Sequence, residues 1–361
     1  MEAPAPAEVF HSQVTVVQKR ILLLGWQTTI GSGVLAIPAI RAVQAHFGST
    51  YDLWLLTRPV CPGASHPADL LAAWVGLRGV LSMPRLRDLP GWFRLIRQVR
   101  RLRFDHVIYV DLSRPRQRAR RILPFLCKIA GLGRPLGFPR TPVPAIPPKR
   151  HEAAGRLANL AADGINAPAL AVMPRLPIPP HEEADLWLAA HRRPGRRLVA
   201  LCPGARASAN HWPLDRFMAL GAALLARGDC DVVVCGGPAE REVGQSLRER
   251  WGAGLVTAGE FDLAGTARLL AHCDLVVGLD TGTSHLAAAL GIPVIVLQGA
   301  RTWAGMWDPL GPAVTVLRLD LPCAGCGLMR CPLAAHPCMR GITLSAVWQA
   351  VERVLPSPGA S

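Results

Sequence analysis

Short apolar runs alternate along the chain with longer segments in which apolar residues recur at helical spacing. In the first half, the pattern predicts strands at ILLLGW (21–26), YDLWLLT (51–57) and HVIYVDL (106–112). Between the first two strands, VLAIPAIRAVQAHF (34–47) has the pattern of a helix. Strands separated by helices predict βαβ units and a parallel sheet.

The alternation is clearer after residue 196. Strands are predicted at RLVALCPGA (197–205), CDVVVCGG (230–237), DLVVGLD (274–280) and PVIVLQGA (293–300). Helices are predicted around 214–227, 239–250 and 262–272 and from about 284. The chain therefore carries a second doubly wound α/β domain, and ligands are expected in the crevice at the carboxyl ends of the two sheets.

Two proline-rich stretches, at 133–149 and 174–180, flank a predicted helix in HEAAGRLANLAADGI (151–165) and mark the inter-domain region. An amphipathic helix is predicted in ITLSAVWQAVERVL (342–355), which we expect to pack back on the first domain. The predicted division is an N-terminal arm (1–17), a first domain (18–175), a second domain (176–340) and a C-terminal helical segment (341–361).

The charge balance points to an anionic partner. The 361 residues include 40 Lys and Arg against 25 Asp and Glu, a net charge of +15, which suits nucleic acid, a phosphorylated glycolipid or an acidic membrane. No run of about 18 uncharged apolar residues occurs, and the N-terminus lacks the pattern of a signal peptide. Ten dispersed cysteines favour a reducing compartment. We expect a cytoplasmic protein, at most peripheral to the inner face of the cytoplasmic membrane.

The most informative motif is VVGLDTGTSHL (276–286), in which a strand ends at Asp280 and a small-residue helix opens near His285. Backbone N–H groups at such a helix start bind phosphate, aided by the helix dipole. Asp280 can accept hydrogen bonds from sugar hydroxyls. The structural alternative is that Thr283 or Ser284 only caps the helix and Gly282 only turns the chain.

This segment, extended to residue 300, resembles the donor-site signature of glycosyltransferase family 9, the ADP-heptose:lipopolysaccharide heptosyltransferases. Three further segments are similar to family motifs in the same order: ILLLGWQTTIGSGVLAIPAIRAVQAHF (21–47), YVDLSRPRQRARRILPFLCKIAGLGRPLGF (109–138) and LCPGARASANHWPLDRFMALGAALL (201–225). The resemblance covers roughly residues 20–355.

The resemblance implies an α/β protein of the GT-B fold, with two doubly wound Rossmann-like domains facing a central cleft. It implies that 18–175 binds the acceptor and 176–340 the donor. The implied reaction is an inverting transfer of heptose from a nucleotide-diphosphate sugar, ADP-heptose, to a lipopolysaccharide core or similar anionic glycan, with no cofactor required for the chemistry. The donor residues so implied are Gly204, Arg206, Asn210, Asp280, Thr281, Gly282, Thr283 and His285. Gly31 and Ser32 should face the reacting centre from the acceptor side.

The sequence departs from the family at two positions of chemical importance. In the family, the turn at 30–32 reads Ile-Gly-Asp and its aspartate acts as general base, but here the position holds Ser32. A serine hydroxyl does not accept a proton at neutral pH without its own base, so Ser32 is expected to cap the helix or to hydrogen-bond a ligand. The family's lysine before Trp-Pro, which neutralises the donor phosphate, is replaced by Asn210; Arg206 or His211 could supply the charge, or Arg206 is a solvated loop residue.

Asp111 is a candidate for a relocated base because it follows the strand HVIYVDL on the crevice side. Its structural alternative is a cap or an ion pair with adjacent arginines. The two departures leave three functions open: an active transferase, a non-catalytic sugar-nucleotide or glycan-binding protein, and a transferase with a different donor or acceptor.

Ten arginines between residues 94 and 121 face only two acids, Asp105 and Asp111. Arginine binds phosphate and carboxylate bidentately, so Arg114, Arg118 and Arg120 are candidates for contacts with an anionic acceptor. A solvated basic face is the alternative. The run lacks interleaved aromatics and a recognition-helix context, which argues against nucleic acid.

A cysteine cluster near the C-terminus, CAGCGLMRCPLAAHPCM (323–339), has the spacing C-x2-C-x4-C-x6-C. Thiolates at Cys323, Cys326, Cys331 and Cys338 could form a structural zinc or iron site, with free thiols or a disulfide as the alternatives. The resemblance implies iron for autotransporter-type heptosyltransferases.

Overall fold

The structure is a computed structural model that describes residues 18–25, 29–58, 66–85, 87–112, 117–139, 150–170, 173 and 175–356. Of residues 117–121 only the backbone is described. The predicted arm at 1–17 and the candidate Arg114 therefore lie outside the described residues, as do the side chains of Arg118 and Arg120.

The first domain is built on a parallel sheet with strand order β3-β2-β1-β4. Its strands are β1 (Lys19–Leu24), β2 (Tyr51–Thr57), β3 (Leu77–Ser82) and β4 (His106–Tyr109). Its helices are α1 (Ile30–Val34), α2 (Ile37–Phe47), α3 (Pro67–Val75), α4 (Leu89–Leu102), α5 (Gln117–Ile129) and α6 (Glu152–Ala161).

Successive residues of β1 point to opposite faces of this sheet, and both faces are covered. Ile21 and Leu23 pack with α2, α3 and α6, whereas Leu22 and Leu24 pack with α4 and α5. This is why β1 is a continuous apolar run and not an alternating one.

The second domain is a parallel sheet of order β10-β9-β8-β5-β6-β7. Its strands are β5 (Arg197–Cys202), β6 (Cys230–Val234), β7 (Leu255–Val256), β8 (Leu275–Leu279), β9 (Val294–Leu297) and β10 (Val314–Leu317). Its helices are α7 (Glu182–His191), α8 (Leu214–Ala226), α9 (Arg241–Trp251), α10 (Leu263–Ala271), α11 (Gly282–Ala289), α12 (Pro337–Arg340) and α13 (Leu344–Val354). The chain order reverses between β5 and β8, which is the doubly wound arrangement. Two parallel α/β sheets were predicted from the sequence and are confirmed.

The two domains share one apolar cluster at their junction, which includes Ile40 of α2, Trp74 of α3 and Leu286 of α11. Trp74 Nε1 donates to the carbonyl of Pro177 at 2.9 Å, which links α3 to the segment entering the second domain. This shared core holds the carboxyl edges of the two sheets together.

The C-terminal helix differs from its prediction. Val347, Ala350 and Val351 of α13 are buried with Phe217 of α8 in the core of the second domain, and not against the first domain as the sequence predicts. Arg227 Nη1 donates to the carbonyl of Leu355 at 2.9 Å and holds the end of the helix there. An amphipathic pattern predicts that a helix buries one face, but it does not predict which domain that face packs against.

A helix boundary in the first domain also differs from its prediction. The predicted helix 34–47 is two helices, α1 and α2, with α1 beginning already at Ile30. Pro38 lies in the first turn of α2, where its missing N–H has no intrahelical partner to lose, so proline favours a new helix start there. No helix of the described residues is long and apolar enough to cross a bilayer.

Truncation of Phe217 tests the core of the second domain. The side chain is fully buried, so Phe217→Ala should lower the free energy of unfolding by about 3–5 kcal/mol in urea titrations. Phe125 is 62% exposed, and Phe125→Ala should change it by less than about 0.5 kcal/mol. Equal losses in the two variants would contradict this core assignment.

Candidate functional site

The site lies where β5 and β8 end side by side, at the point of the second sheet where the strand order reverses. The loop 203–213 follows β5, and Asp280 and Thr281 follow β8. Loops leaving a sheet at such a point border its ligand crevice.

The first turn of α11 has its predicted position at this edge. Thr281 is the N-cap residue, but its side chain does not cap the helix; its Oγ1 instead lies 3.1 Å from Thr283 Oγ1. Ser284 Oγ donates to the carbonyl of Leu279 at 2.7 Å and ties the turn to β8. The N-terminal N–H groups of α11 are thus left without a side-chain cap, which is the arrangement that binds an anion.

Asp280 and His285 lie together beside this turn. His285 Nε2 is 3.8 Å from Asp280 Oδ1, and the two side chains are 4% and 11% exposed. His285 Nδ1 is buried and has no hydrogen-bond partner among the described residues. The pair offers a carboxylate and an imidazole at the end of the same helix that presents the free N–H groups.

The N-terminal end of α1 meets this turn from the first domain. A Cβ on Gly31 would lie 2.6 Å from His285 Cδ2, and a Cβ on Gly282 would lie 2.7 Å from Ile30 Cβ. The two helix ends therefore touch through two glycines. Since each helix end carries a partial positive charge, their junction favours negative charge.

The hydroxyl of Ser32, in the first turn of α1, is hydrogen-bonded within that segment. Thr29 is the N-cap of this helix, with its Oγ1 accepting from Ser32 N–H at 3.3 Å and donating to Ser32 Oγ at 2.9 Å. Ser32 Oγ in turn donates to the carbonyl of Thr29 at 2.9 Å. Ser32 is thus not the cap that the sequence predicts, but the third residue of the helix, with its hydroxyl proton bound locally.

Sequence reasoning missed an ion pair on α6 directly behind α1. Arg156 Nη1 donates to the carbonyl of Ser32 at 3.1 Å, and Arg156 Nε is 3.6 Å from Glu152 Oε1. Both side chains are at least 98% buried. The i,i+4 spacing of a glutamate and an arginine was visible in the predicted helix, but nothing in the sequence indicated that this face is buried against α1.

Asp111 is a further buried acid of the first domain. It follows β4 by two residues and is 5% exposed. Burial raises the pKa of Tyr109, the last residue of β4, and the negative charges of Asp111 and Glu152 raise it further, whereas Arg156 opposes them. Asp111 thus follows the carboxyl end of β4, and its charge acts on the same Tyr109 hydroxyl as the charges of Glu152 and Arg156.

The loop after β5 presents the remaining predicted donor residues. Arg206 is exposed, whereas Asn210 is buried and its Oδ1 has no hydrogen-bond partner among the described residues. His211 Nε2 is 2.7 Å from the carbonyl of Ala205, so that ring is turned onto its own loop. Both cations weighed as replacements for the missing lysine, Arg206 and His211, are exposed, and the His211 ring is held on its own loop.

Gly204 shows a further group that the sequence analysis passed over. A Cβ on Gly204 would lie 2.3 Å from the side chain of Glu240, which follows β6. Glu240 Oε2 accepts from Gly237 N–H at 2.7 Å. The Glu240 carboxylate is thus fixed at the crevice edge. The signal available in the sequence was an acidic residue shortly after β6, the strand that neighbours β5 and its glycine-containing loop.

The cysteine cluster does not form the predicted metal site. Cys323 and Cys326 are exposed, Cys331 is half-buried, and Cys338 is buried in the core of the second domain. No group of three or more His, Cys, Asp or Glu within the described part of the chain is arranged to hold a metal ion. Burial raises the pKa of Cys338, and the nearby Cys331, Cys323 and Cys326 raise it further, against a hydrogen bond with the backbone of Ala300. His336 Nε2 lies 3.0 Å from the carbonyl oxygen of Ala209.

The contact between the two helix ends can be tested at Gly31. Gly31→Ala places a methyl group against the buried His285 ring, so it should lower the free energy of unfolding by about 1–3 kcal/mol in urea titrations. Gly133 is the matched control, because a Cβ there meets nothing within 4 Å. Gly31→Ala and Gly133→Ala proteins of equal stability would show that the helix ends do not pack as described.

His151 at the start of α6 predicts a pH dependence of stability. Its Nδ1 accepts from Ala153 N–H at 3.1 Å and its Nε2 bonds the carbonyl of Asp308 at 2.9 Å, which requires a neutral ring. Burial lowers the pKa of His151 from its ordinary 6.5, and His285 lowers it further, against the opposing effects of Asp308 and Glu152.

The unfolded chain therefore takes up this proton first as the pH falls, and stability is lost below about pH 7. His151→Asn retains a capping oxygen but does not titrate. Thermal unfolding between about pH 7.5 and 5.5 should show a smaller loss of stability in His151→Asn than in the wild type. An equal or larger loss in the variant would contradict the assignment.

Comparisons with known proteins show which family this chain belongs to. The sequence profile of glycosyltransferase family 9 (heptosyltransferase) matches residues 134–336, more than half of the chain. The lipopolysaccharide heptosyltransferase 1 of Pseudomonas aeruginosa is 35% identical over 136 residues, which are 37% of this chain and 37% of that protein. The chain thus matches little more than a third of the length of that curated relative.

Solved structures match over nearly the whole chain. The ADP-heptose lps heptosyltransferase II of Escherichia coli superposes with a TM-score of 0.68 at 19% identity, covering 93% of this chain and 98% of that one. The iron-containing dodecameric glycosyltransferase TibC of enterotoxigenic E. coli superposes with a TM-score of 0.54 at 15% identity, covering 93% and 76%. The predicted GT-B arrangement is confirmed by these matches, and on the family profile the chain belongs to glycosyltransferase family 9.

Proposed function

We propose that this protein transfers a heptose, or a related sugar, from a nucleotide-diphosphate sugar to an anionic glycan acceptor with inversion at the anomeric carbon. The observation that carries the proposal is the contact between the N-terminal ends of α1 and α11. This contact lies beside Asp280 and His285, at the carboxyl edges of both sheets. The identity of donor and acceptor is proposed from the names of the matched proteins, which mention ADP-heptose and lipopolysaccharide.

In this proposal the donor lies along the second domain. Its diphosphate accepts hydrogen bonds from the N–H groups of the first turn of α11, at Gly282 and Thr283. Asp280 accepts from hydroxyls of the transferred sugar. Glu240, an acid that follows the second strand of a doubly wound domain, is positioned for the hydroxyls of the ribose.

The reaction requires a base for the acceptor hydroxyl. As the acceptor oxygen attacks the anomeric carbon, its proton passes to the base, the bond from that carbon to the diphosphate breaks, and the nucleoside diphosphate leaves with the electron pair. Ser32 is not suited to this role, because its hydroxyl already donates to Thr29 and carries no charge. We propose Asp111, the buried carboxylate after β4, as this base.

The leaving diphosphate requires positive charge. The N-terminal end of α11 supplies it in part through its uncapped N–H groups, at no cost in rearrangement. Arg206 is the proposed mobile cation, since it is exposed on the loop after β5 that borders the crevice. Asn210 can offer only the hydrogen bonds of its amide, because its side chain carries no charge.

A second candidate function is a non-catalytic sugar-nucleotide or glycan-binding protein. It is favoured by the two departures, since Ser32 is committed to α1 and Asn210 is buried against Gly299. A transferase with another donor or acceptor would show the same departures. The transferase proposal includes a cytoplasmic location, with the acceptor held in the inner face of the cytoplasmic membrane.

The deciding assay incubates the protein with ADP-heptose, with and without a heptose-deficient lipopolysaccharide core, and follows ADP release beside donor binding by calorimetry. Acceptor-dependent ADP release supports the transferase. Binding without release supports the binding protein, and no binding indicates another donor.

Asp111→Asn should lower turnover about 10²–10⁴-fold while donor affinity stays within about twofold of the wild type, because the amide keeps the shape but cannot take the proton. Asp105→Asn is the matched control: that residue is also on the first domain but is exposed and accepts from Arg20 N–H at 2.8 Å. Unchanged turnover in Asp111→Asn would remove this residue as the base. Ser32→Asp should then be tested for higher turnover, as expected if only the missing aspartate limits the rate.

A further inference from the structure

The outer sides of α4 and α5 expose large apolar residues. Phe93 and Phe125 are 70% and 62% exposed, and Leu89, Ile122 and Ile129 are also exposed. We name these five residues, with the exposed cations of the same two helices, the α4–α5 face. Because the inner stripes of both helices, such as Leu95 and Leu123, already fill the core of the first domain, the outer residues are not needed for folding.

The same face is strongly cationic. Arg94, Arg97, Arg100, Arg101 and Arg103 are exposed along and just after α4, and Lys128 is exposed on α5. Neither helix contains an acidic residue. A groove lined by Phe93, Ile96, Arg97, Arg100, Arg101 and Arg103 shows that aromatic and guanidinium groups share one surface.

The two helices are neighbours and run in the same direction. Leu136 pairs with Ile108 of β4 in parallel, so α5 is a crossover that runs antiparallel to the strands, as α4 does between β3 and β4. Arg100 Nη2 donates to the carbonyl of Ile129 at 2.7 Å and joins the two C-terminal ends. Phe93 and Ile122 each precede that joined end by seven residues, toward the carboxyl edge of the sheet.

Leu89, Phe93 and Ile122 thus lie toward the carboxyl edge of the sheet, and the joined C-terminal ends of the two helices lie toward the opposite edge. The α4–α5 face also lies on the side of the first sheet away from the junction, since the shared core uses α2 and α3. The second domain therefore leaves it open.

We propose that the α4–α5 face docks the protein on an anionic lipid bilayer. Apolar side chains that project among cations are the combination that binds a membrane interface: the aromatic and aliphatic groups enter the acyl boundary, and the arginines contact lipid phosphates. A free anionic glycan would use the arginines and stack on the phenylalanines, but it would leave the exposed aliphatic residues Leu89, Ile122 and Ile129 without an apolar partner. Nucleic acid would likewise leave Leu89 and Ile122 without a partner.

This docking goes beyond the proposed transfer reaction, because it concerns a surface outside the crevice and binding to lipid alone. It would set the carboxyl edge of the first sheet beside the bilayer, where the sugar part of a membrane-held acceptor reaches the crevice. Vesicle binding is measured without donor or acceptor, so failure of the docking and failure of the transfer are separate results.

The experiment is cosedimentation of the full-length protein with phosphatidylcholine vesicles that do or do not contain about 30% phosphatidylglycerol. The wild type should bind the anionic vesicles and not the neutral ones. Phe93→Ser with Phe125→Ser, and separately Arg97→Glu with Arg101→Glu, should each weaken binding about tenfold or more. All four positions are exposed, so thermal unfolding should confirm that both double variants fold.

Matched controls come from exposed residues of the second domain. Leu186 on α7 is 65% exposed, and Arg248 and Arg250 on α9 are exposed. Leu186→Ser, and Arg248→Glu with Arg250→Glu, should bind vesicles as the wild type does. Equal loss in these controls would show that net charge or general hydrophobicity, and not the α4–α5 face, drives the binding.

Three further outcomes would overturn the proposal. Wild-type binding that inorganic phosphate abolishes at constant ionic strength, with the Phe93/Phe125 double variant unaffected, would identify a site for free anions. Self-association in the absence of vesicles that the same variant abolishes would identify an interface between copies of the chain. Absence of vesicle binding by the wild type would reject the surface as a membrane site.

Discussion

The contact between the N-terminal ends of α1 and α11 is the constraint on which the rest of the site depends. It brings two domains to within van der Waals distance at Gly31 and Gly282, positions where any side chain would collide with His285 or Ile30. The uncapped first turn of α11 therefore lies against the first turn of α1, which carries no charged side chain. A neutral Gly-Ser-Gly segment can thus border a site for an anionic ligand.

The surrounding structure maintains that contact. A single apolar cluster spans the junction, so the two sheets cannot separate at this edge without exposing it to water. Behind α1, Arg156 holds the carbonyl of Ser32, and its partner Glu152 is buried with it. A buried ion pair of this kind is costly to break, because removal of either group leaves the other charge unpaired. The first turn of α1 is therefore held in position by α6 as well as by the second domain.

Much of the fold could be predicted from the sequence because parallel strands buried on both faces are continuous apolar runs, as in β5, β8 and β9. The turn from Asp280 to His285 could be found for a related reason: its chemistry is local, so adjacent residues carry it. What could not be predicted depends on distant partners. The pairing of α6 with Ser32 and the packing of α13 on the second domain both join segments whose proximity the sequence does not encode locally. The cysteine spacing was misleading for the same reason, since Cys338 faces a core that other segments build.

The central claim is that the N-terminal end of α11, where α1 meets it, forms the diphosphate site. A crystal structure of the protein with ADP tests it most directly. The account predicts phosphate oxygens within hydrogen-bond distance of the backbone N–H groups of Gly282 or Thr283, with the nucleoside directed toward Glu240. A diphosphate held elsewhere, for example by the arginines of α4 with the first turn of α11 left empty, would contradict it.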